Sequence, residues 1–191
     1  TPYRMDGGML EDGDLFDSPC YKISVLDLIN DGYLSPLRSK LVNVEHRPDF
    51  SSLHTRAGEF VQDEVDEIMG DDEFITEGVA DMMKKVRATE RKSILVFCSS
   101  VKNAELTAIE IKKQSMERVE LITGKTPGAL RDSILDEFKF FRFRFLVNVS
   151  VLTTGFDAPH VDVIALLRPT ESVSLFQQMV GRGLRLSPNK T

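Results

Sequence analysis

Residues 93–98 have the sequence SILVFC, an apolar run enclosed by polar neighbours. A run of this kind indicates a strand buried on both faces, as strands inside a parallel sheet are. Similar runs follow at residues 119–122 (VELI), 145–149 (FLVNV) and 161–167 (VDVIALL). The stretches between them have helical spacing. Because strands alternate with helices, the chain is predicted to be an α/β domain with a parallel sheet flanked by helices.

Capping residues mark where the intervening helices should begin. Ser99 and Ser100 can cap a first helix, and Thr126 can cap a second one that has Pro127 at its first position. The inward stripes are then expected to be Val101, Ala104, Ala108 and Ile111 in the first helix, and Leu130, Ile134 and Phe138 in the second. A last helix is predicted at residues 172–180.

The first half of the chain is less regular and more acidic. Two amphipathic acidic helices are predicted at residues 59–69 and 74–87, each with one apolar stripe. Ahead of them we expect a helix at residues 21–30 capped by Ser24 and ended by Gly32, a short strand at 40–44, and an irregular connector at 46–58. This part is therefore predicted to be an acidic, mainly helical connector to a regular core that starts near residue 74.

Composition is that of a globular protein. The 191 residues are 41% apolar, and no apolar run approaches the ~20 residues of a membrane span. The first residues show no signal-peptide pattern, so a cytoplasmic location and no membrane partner are expected.

The net charge of −6 is unevenly divided, because residues 1–88 hold 9 basic and 19 acidic side chains. A pI near 5.2 argues against a nucleic-acid binder held by overall charge alone, although a local groove in the basic second half is compatible with it.

Neither cysteine nor histidine usage predicts a metal site. The two cysteines, Cys20 and Cys98, are far apart and form no CxxC pair, so a disulfide framework and a structural zinc site are not expected. His46, His54 and His160 are scattered without ligand spacing and are interpreted as surface or loop residues.

Residues 178–185 (QMVGRGLR) carry two arginines three positions apart, Arg182 and Arg185, with Gln178 four positions before the first. These spacings place the three side chains near one face if the segment is helical. Guanidinium groups bind phosphate oxygens in a bidentate manner, so the pattern suits a polyphosphate. Taken alone it also fits a solvated helix end, where arginines complement the negative pole of the helix dipole.

Polar or glycine-containing loops follow three of the predicted strands, at residues 99–100 (SS), 123–124 (TG) and 153–157 (TTGFD). In an open α/β sheet, ligands bind beyond the carboxyl ends of the strands. We therefore expect these loops and the arginine segment to share one rim. In the third loop, hydroxyls beside a glycine can approach a phosphate closely and Asp157 adds a carboxylate; a turn with Asp157 as a local cap is the alternative.

Residues 123–126 (TGKT) imitate a phosphate-binding P-loop, because they follow a strand and open a helix. The full motif needs a glycine five positions before Gly124, where this chain has Val119. Presentation of Thr123 and the helix N-terminus to a nucleic-acid phosphate is the favoured interpretation. An independent P-loop enzyme that binds ATP through residues 123–126, Lys125 included, is kept as an alternative.

Residues 139–145 (KFFRFRF) interleave aromatic and basic side chains, which suggests base stacking. Period-two alternation that leads into a buried strand is the simpler interpretation and is favoured.

Together these segments resemble the C-terminal RecA-like domain of superfamily 2 DEAD/DEAH-box helicases, and most of all the bacterial RadD-like group and the helicase subunits of restriction enzymes. Residues 94–100 look like motif IV, residues 149–159 like motif V, and residues 178–185 like the motif VI pattern QxxGRxxR. Thr123-Gly124 with Arg131 and Phe138 is similar to the segment between motifs IV and V. The opening residues 1–4 (TPYR) resemble the end of motif III.

The resemblance implies a division of the chain. Residues 1–45 would be the end of the first helicase lobe and the interdomain linker. Residues 46–191 would be the C-terminal RecA-like domain, which carries motifs IV to VI and stops soon after motif VI. Such a domain normally continues with a further strand, so an unpaired sheet edge is expected.

The resemblance also implies roles for individual residues. Arg185 would be an arginine finger and Arg182 a second arginine on the phosphates of ATP, which the N-terminal lobe would hold together with Mg²⁺. Residues lining the same ATP cleft would be Gly155, Asp157 and Gln178. The phosphates of a nucleic-acid strand would be held by Ser99, Ser100, Thr123 and Thr154; the resemblance favours DNA, and RNA is the alternative.

The sequence carries neither a Walker A lysine nor DExx carboxylates, so this chain alone is not expected to hydrolyse ATP. The leading hypothesis is the C-terminal lobe of an ATP-dependent helicase or translocase. The alternative is a non-hydrolytic nucleic-acid-binding or scaffolding domain of the same fold.

Overall fold

A computed structural model describes residues 21–45, 47–56, 59–152, 156–188 and 190. The predictions on the opening residues, on Cys20 and on His46 lie outside this part of the chain. In chain order the elements are α1 (Val25–Asn30), β1 (Thr55–Arg56), β2 (Glu59–Phe60), α2 (Gln62–Met69), α3 (Asp72–Ala88), β3 (Ile94–Cys98), α4 (Val101–Ser115), β4 (Val119–Ile122), α5 (Gly128–Lys139), β5 (Phe145–Asn148), β6 (Val163–Leu167) and α6 (Val173–Gly181).

The core is a four-stranded parallel sheet in the order β4-β5-β3-β6, with helices on both faces. In its register, Val96 of β3 pairs with Val147 of β5 and with Ala165 of β6. All five residues of β3 are buried, as the apolar run at residues 93–98 predicts. The predicted α/β class and the RecA-like parallel sheet are confirmed.

Alternation along the strands divides the interior into two cores. On one face, Val96 and its counterparts pack against the helices α2, α3 and α4. On the other face, Leu95 and Phe97 pack with residues of α5 and α6 and with the segment that joins β5 to β6. Because successive strand side chains point to opposite faces, each strand serves both cores.

Near the N-terminus, one prediction is confirmed and one is wrong. Ser24 caps α1 in a reciprocal capping box with Asp27, and Gly32 follows the helix with a φ of 77°. The strand predicted at residues 40–44 does not form, although the segment is extended. Its backbone is held by side chains of α3 instead, since Asn43 N donates to Asp81 (3.2 Å) and Lys85 Nζ donates to the carbonyl of Leu41 (2.9 Å).

The two acidic helices are confirmed with shifted starts. The first begins at Gln62 rather than 59, because Glu59–Phe60 pairs antiparallel with Thr55–Arg56 at the end of the predicted connector. The second begins two residues earlier than predicted, because the Asp71 side chain accepts from Phe74 N and caps it.

The two helices after β3 and β4 differ from the prediction in detail. Val101 is 38% exposed, and the buried stripe of α4 includes polar Asn103, whose amide donates to the carbonyl of Met69 (2.6 Å). Thr126 does not cap α5. Its hydroxyl is used inside the preceding turn, and Pro127 occupies the cap position. Leu130, which was predicted to face inward, is exposed.

In the described part of the chain, β4 and β6 are the outer strands of the sheet, and only β3 pairs with β6. This arrangement agrees with the expected free edge; that the chain stops before a further strand stays a prediction. Across the same described residues, no helix is long and apolar enough to cross a membrane.

Candidate nucleotide and nucleic-acid sites

Helix α6 carries the arginine segment back along the sheet towards the amino half of β6. Ser172 caps the helix just after β6 ends, and Arg182 is its C-terminal cap residue. Gly183 then lies so close to β6 that a Cβ there would be 2.8 Å from Cγ1 of Ile164, the second residue of the strand. The absence of a side chain at Gly183 is what lets the segment approach the sheet.

Arg182 is held by the backbone of the segment that leads to β6. Its Nη1 donates to the carbonyl oxygen of Phe156 at 2.6 Å. Burial lowers the pKa of Arg182, and the nearby positive charge of Arg185 lowers it further, while Asp157 opposes the shift. Two guanidinium groups are therefore concentrated in one place, with the carboxylate of Asp157 beside them.

Arg185 forms an ion pair with Asp157, from Nη1 to Oδ1. The two side chains are 39% and 73% exposed, so the pair lies at the surface. An exposed pair of this kind contributes little to stability, ~1 kcal/mol or less, and can exchange partners readily. The structure thus brings together Arg182, Arg185 and Asp157, as the sequence predicted.

Gln178 lies one turn before Arg182 on α6 and is half-buried. Its Nε2 donates to the Ser174 hydroxyl at 3.2 Å. The spacing prediction therefore places it correctly on the helix, while its amide is hydrogen-bonded to the helix itself. Gly155 lies outside the described residues, so its predicted role stays a prediction.

The predicted phosphate-binding serines and Thr123 lie at the carboxyl edge of the sheet. Ser99 is buried, and its carbonyl accepts from Gln62 Nε2 at 2.9 Å. Ser100 caps α4 by accepting from Asn103 N at 3.2 Å. Thr123 follows β4 and is buried. Thr154 lies outside the described residues.

Ser99, Ser100 and Thr123 do not share one rim with the arginine segment, so the expectation is wrong for these two loops, while Asp157 of the third loop does contact Arg185. Ser99 and Thr123 follow the carboxyl ends of β3 and β4, whereas Gly183 packs on Ile164 near the amino end of β6. The reason is the length and direction of α6, because nine residues of helix run ~13 Å back along a strand.

The turn at residues 123–126 is closed by its own side chains. Thr123 N donates to the Thr126 hydroxyl at 3.0 Å, and Lys125 N donates to the Thr123 hydroxyl at 3.2 Å. Two backbone N–H groups that a P-loop would offer to phosphate are therefore already bonded, which agrees with rejecting that motif. The following helix α5 has no side-chain cap, so its first N–H groups keep their capacity for an anion.

The segment at residues 139–145 alternates only in its second half. Phe143 and Phe145 are buried, as alternation predicts, but Phe140 and Phe141 are 73% and 48% exposed. Phe141 also has a positive φ of 56°, because it ends the turn that follows α5. Its ring packs edge-on against the ring of His160 at 5.1 Å, so the favoured simple alternation is wrong for Phe141, while the exposed Phe140 agrees with it.

Within the described residues, no group of three or more His, Cys, Asp or Glu side chains is placed to hold a metal ion. His54 contacts Glu64, and His160 is partly buried, which lowers its pKa. Cys98 is buried in β3, and this burial raises the pKa of its thiol to about 12.

A family model described as the helicase conserved C-terminal domain matches residues 77–187. The chain therefore belongs to the helicase C-terminal domain family, as the motifs at residues 94–100, 149–159 and 178–185 indicated. The family assignment covers the whole regular core, from α3 to the end of the arginine segment.

Individual relatives agree with this assignment. The chain is 30% identical to IRC3 of Saccharomyces cerevisiae, named as an ATP-dependent helicase, over 92% of this chain and 25% of that protein. It is 31% identical to a 51.5 kDa protein of a Lactococcus phage, over 100% of this chain and 40% of that protein. The chain thus spans a quarter to two fifths of the length of these relatives.

Among solved structures, the chain is similar in fold to a fragment of an HsdR subunit of a type I restriction enzyme from Vibrio vulnificus YJ016. The TM-score is 0.55 and the identity is 24%, over 65% of this chain and 26% of that one. The similarity to restriction-enzyme helicase subunits that the motifs suggested is confirmed at the level of the fold.

Proposed function

We propose that this chain is the C-terminal lobe of an ATP-dependent helicase or translocase, supplying Arg185 and Arg182 to an ATP molecule held by another lobe. The observation that carries the proposal is the convergence of the two guanidinium groups beside Asp157, outside any P-loop of this chain. A site with arginines and no phosphate cradle is suited to complete a nucleotide site in another lobe.

The residues present fit the triphosphate of ATP and do not fit its metal ion. Burial and the neighbouring charge of Arg185 both lower the pKa of Arg182, so an approaching anion would relieve two costs at once. Mg²⁺ prefers carboxylate and water oxygens, and the described residues offer no cluster of carboxylates for it. That the N-terminal lobe would hold Mg²⁺ is part of the same proposal.

Arg185 and Arg182 would play different parts. Arg185 is the exposed member and can exchange Asp157 for phosphate oxygens when the lobes close. Arg182 is more buried and anchored on the Phe156 carbonyl, so its charge is positioned in advance. Preorganised positive charge stabilises the charge that spreads over a transferring phosphoryl group, and Asp157 and Gln178 would line the same cleft.

The carboxyl edge of the sheet would bind the nucleic-acid strand through its phosphates. Ser99, Ser100, Thr123 and Thr154 supply hydroxyls, and the uncapped N-terminus of α5 supplies backbone N–H groups. Such contacts position a strand and carry no base preference. DNA is favoured over RNA by the resemblance to restriction-enzyme subunits, and a cytoplasmic location is part of the same proposal.

The test is Arg185→Ala in the complete protein. We expect ATP turnover to fall by roughly 10³-fold or more, as removal of an arginine finger does, while nucleotide affinity changes little. Arg142→Ala is the matched control, since Arg142 is an exposed arginine after α5 that is expected to be silent. Turnover and fluorescent-nucleotide affinity are measured together. Unchanged turnover in Arg185→Ala contradicts the role of Arg185, whereas no ATP turnover in the unmodified complete protein would favour the non-hydrolytic scaffold.

A further inference from the structure

The backbone of the arginine segment is held from outside by two residues that no motif includes. Ser35 N donates to the carbonyl of Leu184 at 2.7 Å, and the Ser35 hydroxyl donates to the carbonyl of Arg185 at 2.9 Å. Lys190 Nζ donates to the carbonyl of Arg185 at 2.9 Å and also to that of Gly183. Three successive carbonyl groups are thereby fixed.

Ser35 makes these contacts from a buried position, with 6% of its surface exposed. It belongs to the linker segment (residues 33–45), whose other end is fixed to α3. There Asn43 N donates to Asp81 at 3.2 Å, and Glu45 N donates to Glu77 at 2.9 Å. The linker segment is thus attached at both ends to the helicase C-terminal domain.

These contacts bear on the chemistry because they set the direction of the Arg185 side chain. The Cα–Cβ direction follows from the backbone, and the Arg185 carbonyl accepts from both Ser35 and Lys190. A displacement of ~1 Å in a catalytic group can cost a factor of ~10² in rate. A residue that fixes this backbone therefore controls where the guanidinium reaches.

We propose that Ser35 is a positioning residue for Arg185 and that the linker segment is a fixed part of this domain. The proposal rests on the function proposed above for Arg185. Because the linker segment is bonded both to α3 and to the arginine segment, it moves together with Arg185 as one unit when the lobes close. The hinge between the lobes then lies before Ser35 in the chain.

The experiment uses the complete protein and separates the hydroxyl from the backbone of Ser35. Ser35→Ala removes only the bond to the Arg185 carbonyl and leaves the N–H bond to Leu184. We expect kcat for ATP to fall roughly tenfold, the effect of one lost hydrogen bond, with KM for ATP unchanged. Ser35→Thr retains the hydroxyl and restores kcat, and Ser39→Ala, at an exposed serine of the same segment, has no effect.

A double-mutant cycle distinguishes positioning from a general loss of stability. In the Arg185→Ala background, measured by single turnover, Ser35→Ala should cause no further loss, because it acts through Arg185. An unchanged kcat in Ser35→Ala, or the same tenfold loss without Arg185, overturns the positioning role. If Arg185→Ala itself leaves turnover unchanged, the proposed function fails as well, so the two failures are distinguishable.

Discussion

The carboxyl edge of the sheet and the arginine segment differ in how their polar groups are held. At the edge, side chains bond to the nearby backbone, as where Ser100 caps α4 and Thr126 closes the turn after β4. In the arginine segment the backbone is bonded by distant residues, and the side chains extend to Phe156 and Asp157. The first arrangement uses hydroxyls and amides in local bonds at the carboxyl edge, and the second fixes charged groups through tertiary structure.

The difference teaches which substitutions should act locally and which through the whole domain. A change at the edge alters one cap or one turn, whose contribution is ~1 kcal/mol. A change in the arginine segment disturbs contacts with elements far along the chain. Catalysis on a nucleotide needs charged groups that are positioned by contacts across the domain. Contacts to strand phosphates can be made by groups that only a local cap or turn positions.

Arg182→Ala tests the arginine segment most strongly. We expect turnover in the complete protein to fall ~10²-fold, because a preorganised charge is lost. The unfolding free energy should also fall by ~1–3 kcal/mol, because the buried Phe156 carbonyl loses a charged donor.

The matched control is Arg144→Ala. Arg144 is another partly buried arginine that donates to a backbone carbonyl, that of Arg91 at 2.5 Å. It should lose similar stability in a urea titration with no loss of turnover per folded molecule. If both variants lowered turnover equally, Arg182 would have no special role in catalysis compared with a partly buried arginine elsewhere in the domain.

Gly183→Ala tests the close approach to β6. The added Cβ would lie 2.8 Å from Ile164 Cγ1, so the unfolding free energy should fall by ~1–3 kcal/mol through overpacking. Gly181→Ala is the control two residues earlier, where a Cβ has no neighbour within 4 Å. That substitution ends α6 with a better helix former and should be neutral or slightly stabilising. Urea unfolding of both variants decides the comparison.

Ser100 allows capping and phosphate contact to be separated at the carboxyl edge. Ser100→Ala should cost ~1 kcal/mol, because the cap on α4 is lost. Ser100→Asp keeps a good cap, so stability should be retained, but its charge should repel strand phosphates and weaken nucleic-acid binding roughly tenfold. Thermal unfolding and fluorescence anisotropy with a labelled oligonucleotide measure the two effects. If Ser100→Asp bound the oligonucleotide as tightly as the unmodified protein, the nucleic-acid strand would not pass close to Ser100.

The smallest expected effect is the contribution of Lys190 to the pH dependence of the unfolding free energy. Burial lowers the pKa of Lys190 from 10.5 to about 8, with Asp162 opposing the shift. The unfolded chain then binds the proton more tightly than the folded domain, so the unfolding free energy rises with pH between about 8 and 10.5. Because Lys190 is about half exposed, we expect a gain below ~1 kcal/mol. Lys190→Met should abolish this part of the rise, and parallel slopes for the two proteins would contradict it.

Much of the fold could be predicted because its elements have strong local signals. The apolar runs of β3 and β5 and the stripes of α2 and α3 were predicted with shifts of at most three residues at their ends. The strand predicted at residues 40–44 failed because alternation describes a half-buried extended chain, whether or not a strand lies beside it. Its partners are helix side chains such as Asp81, which periodicity does not reveal.

The sequence predicted which residues of the candidate site lie together, but not where on the sheet they lie. The motif pattern brought Arg185 and Asp157 together correctly, although 28 positions separate them. The expectation that the loops after β3 and β4 share a rim with the arginine segment failed, because strand order does not specify where a helix of nine residues ends. Ser35 carries no signal of its own, since a serine before a proline is ordinary in a connector.

The contact between Ser35 and Arg185 also has a consequence for synthesis. The two residues are 150 positions apart, so the ribosome completes one roughly ten to thirty seconds before the other. A bond across so long a loop forms only after the ends of the domain can meet, which makes it a late event in folding. The position of the Arg185 guanidinium is therefore fixed late in folding. In a nascent or partly folded chain, Arg185 is present but its backbone is not yet held by Ser35.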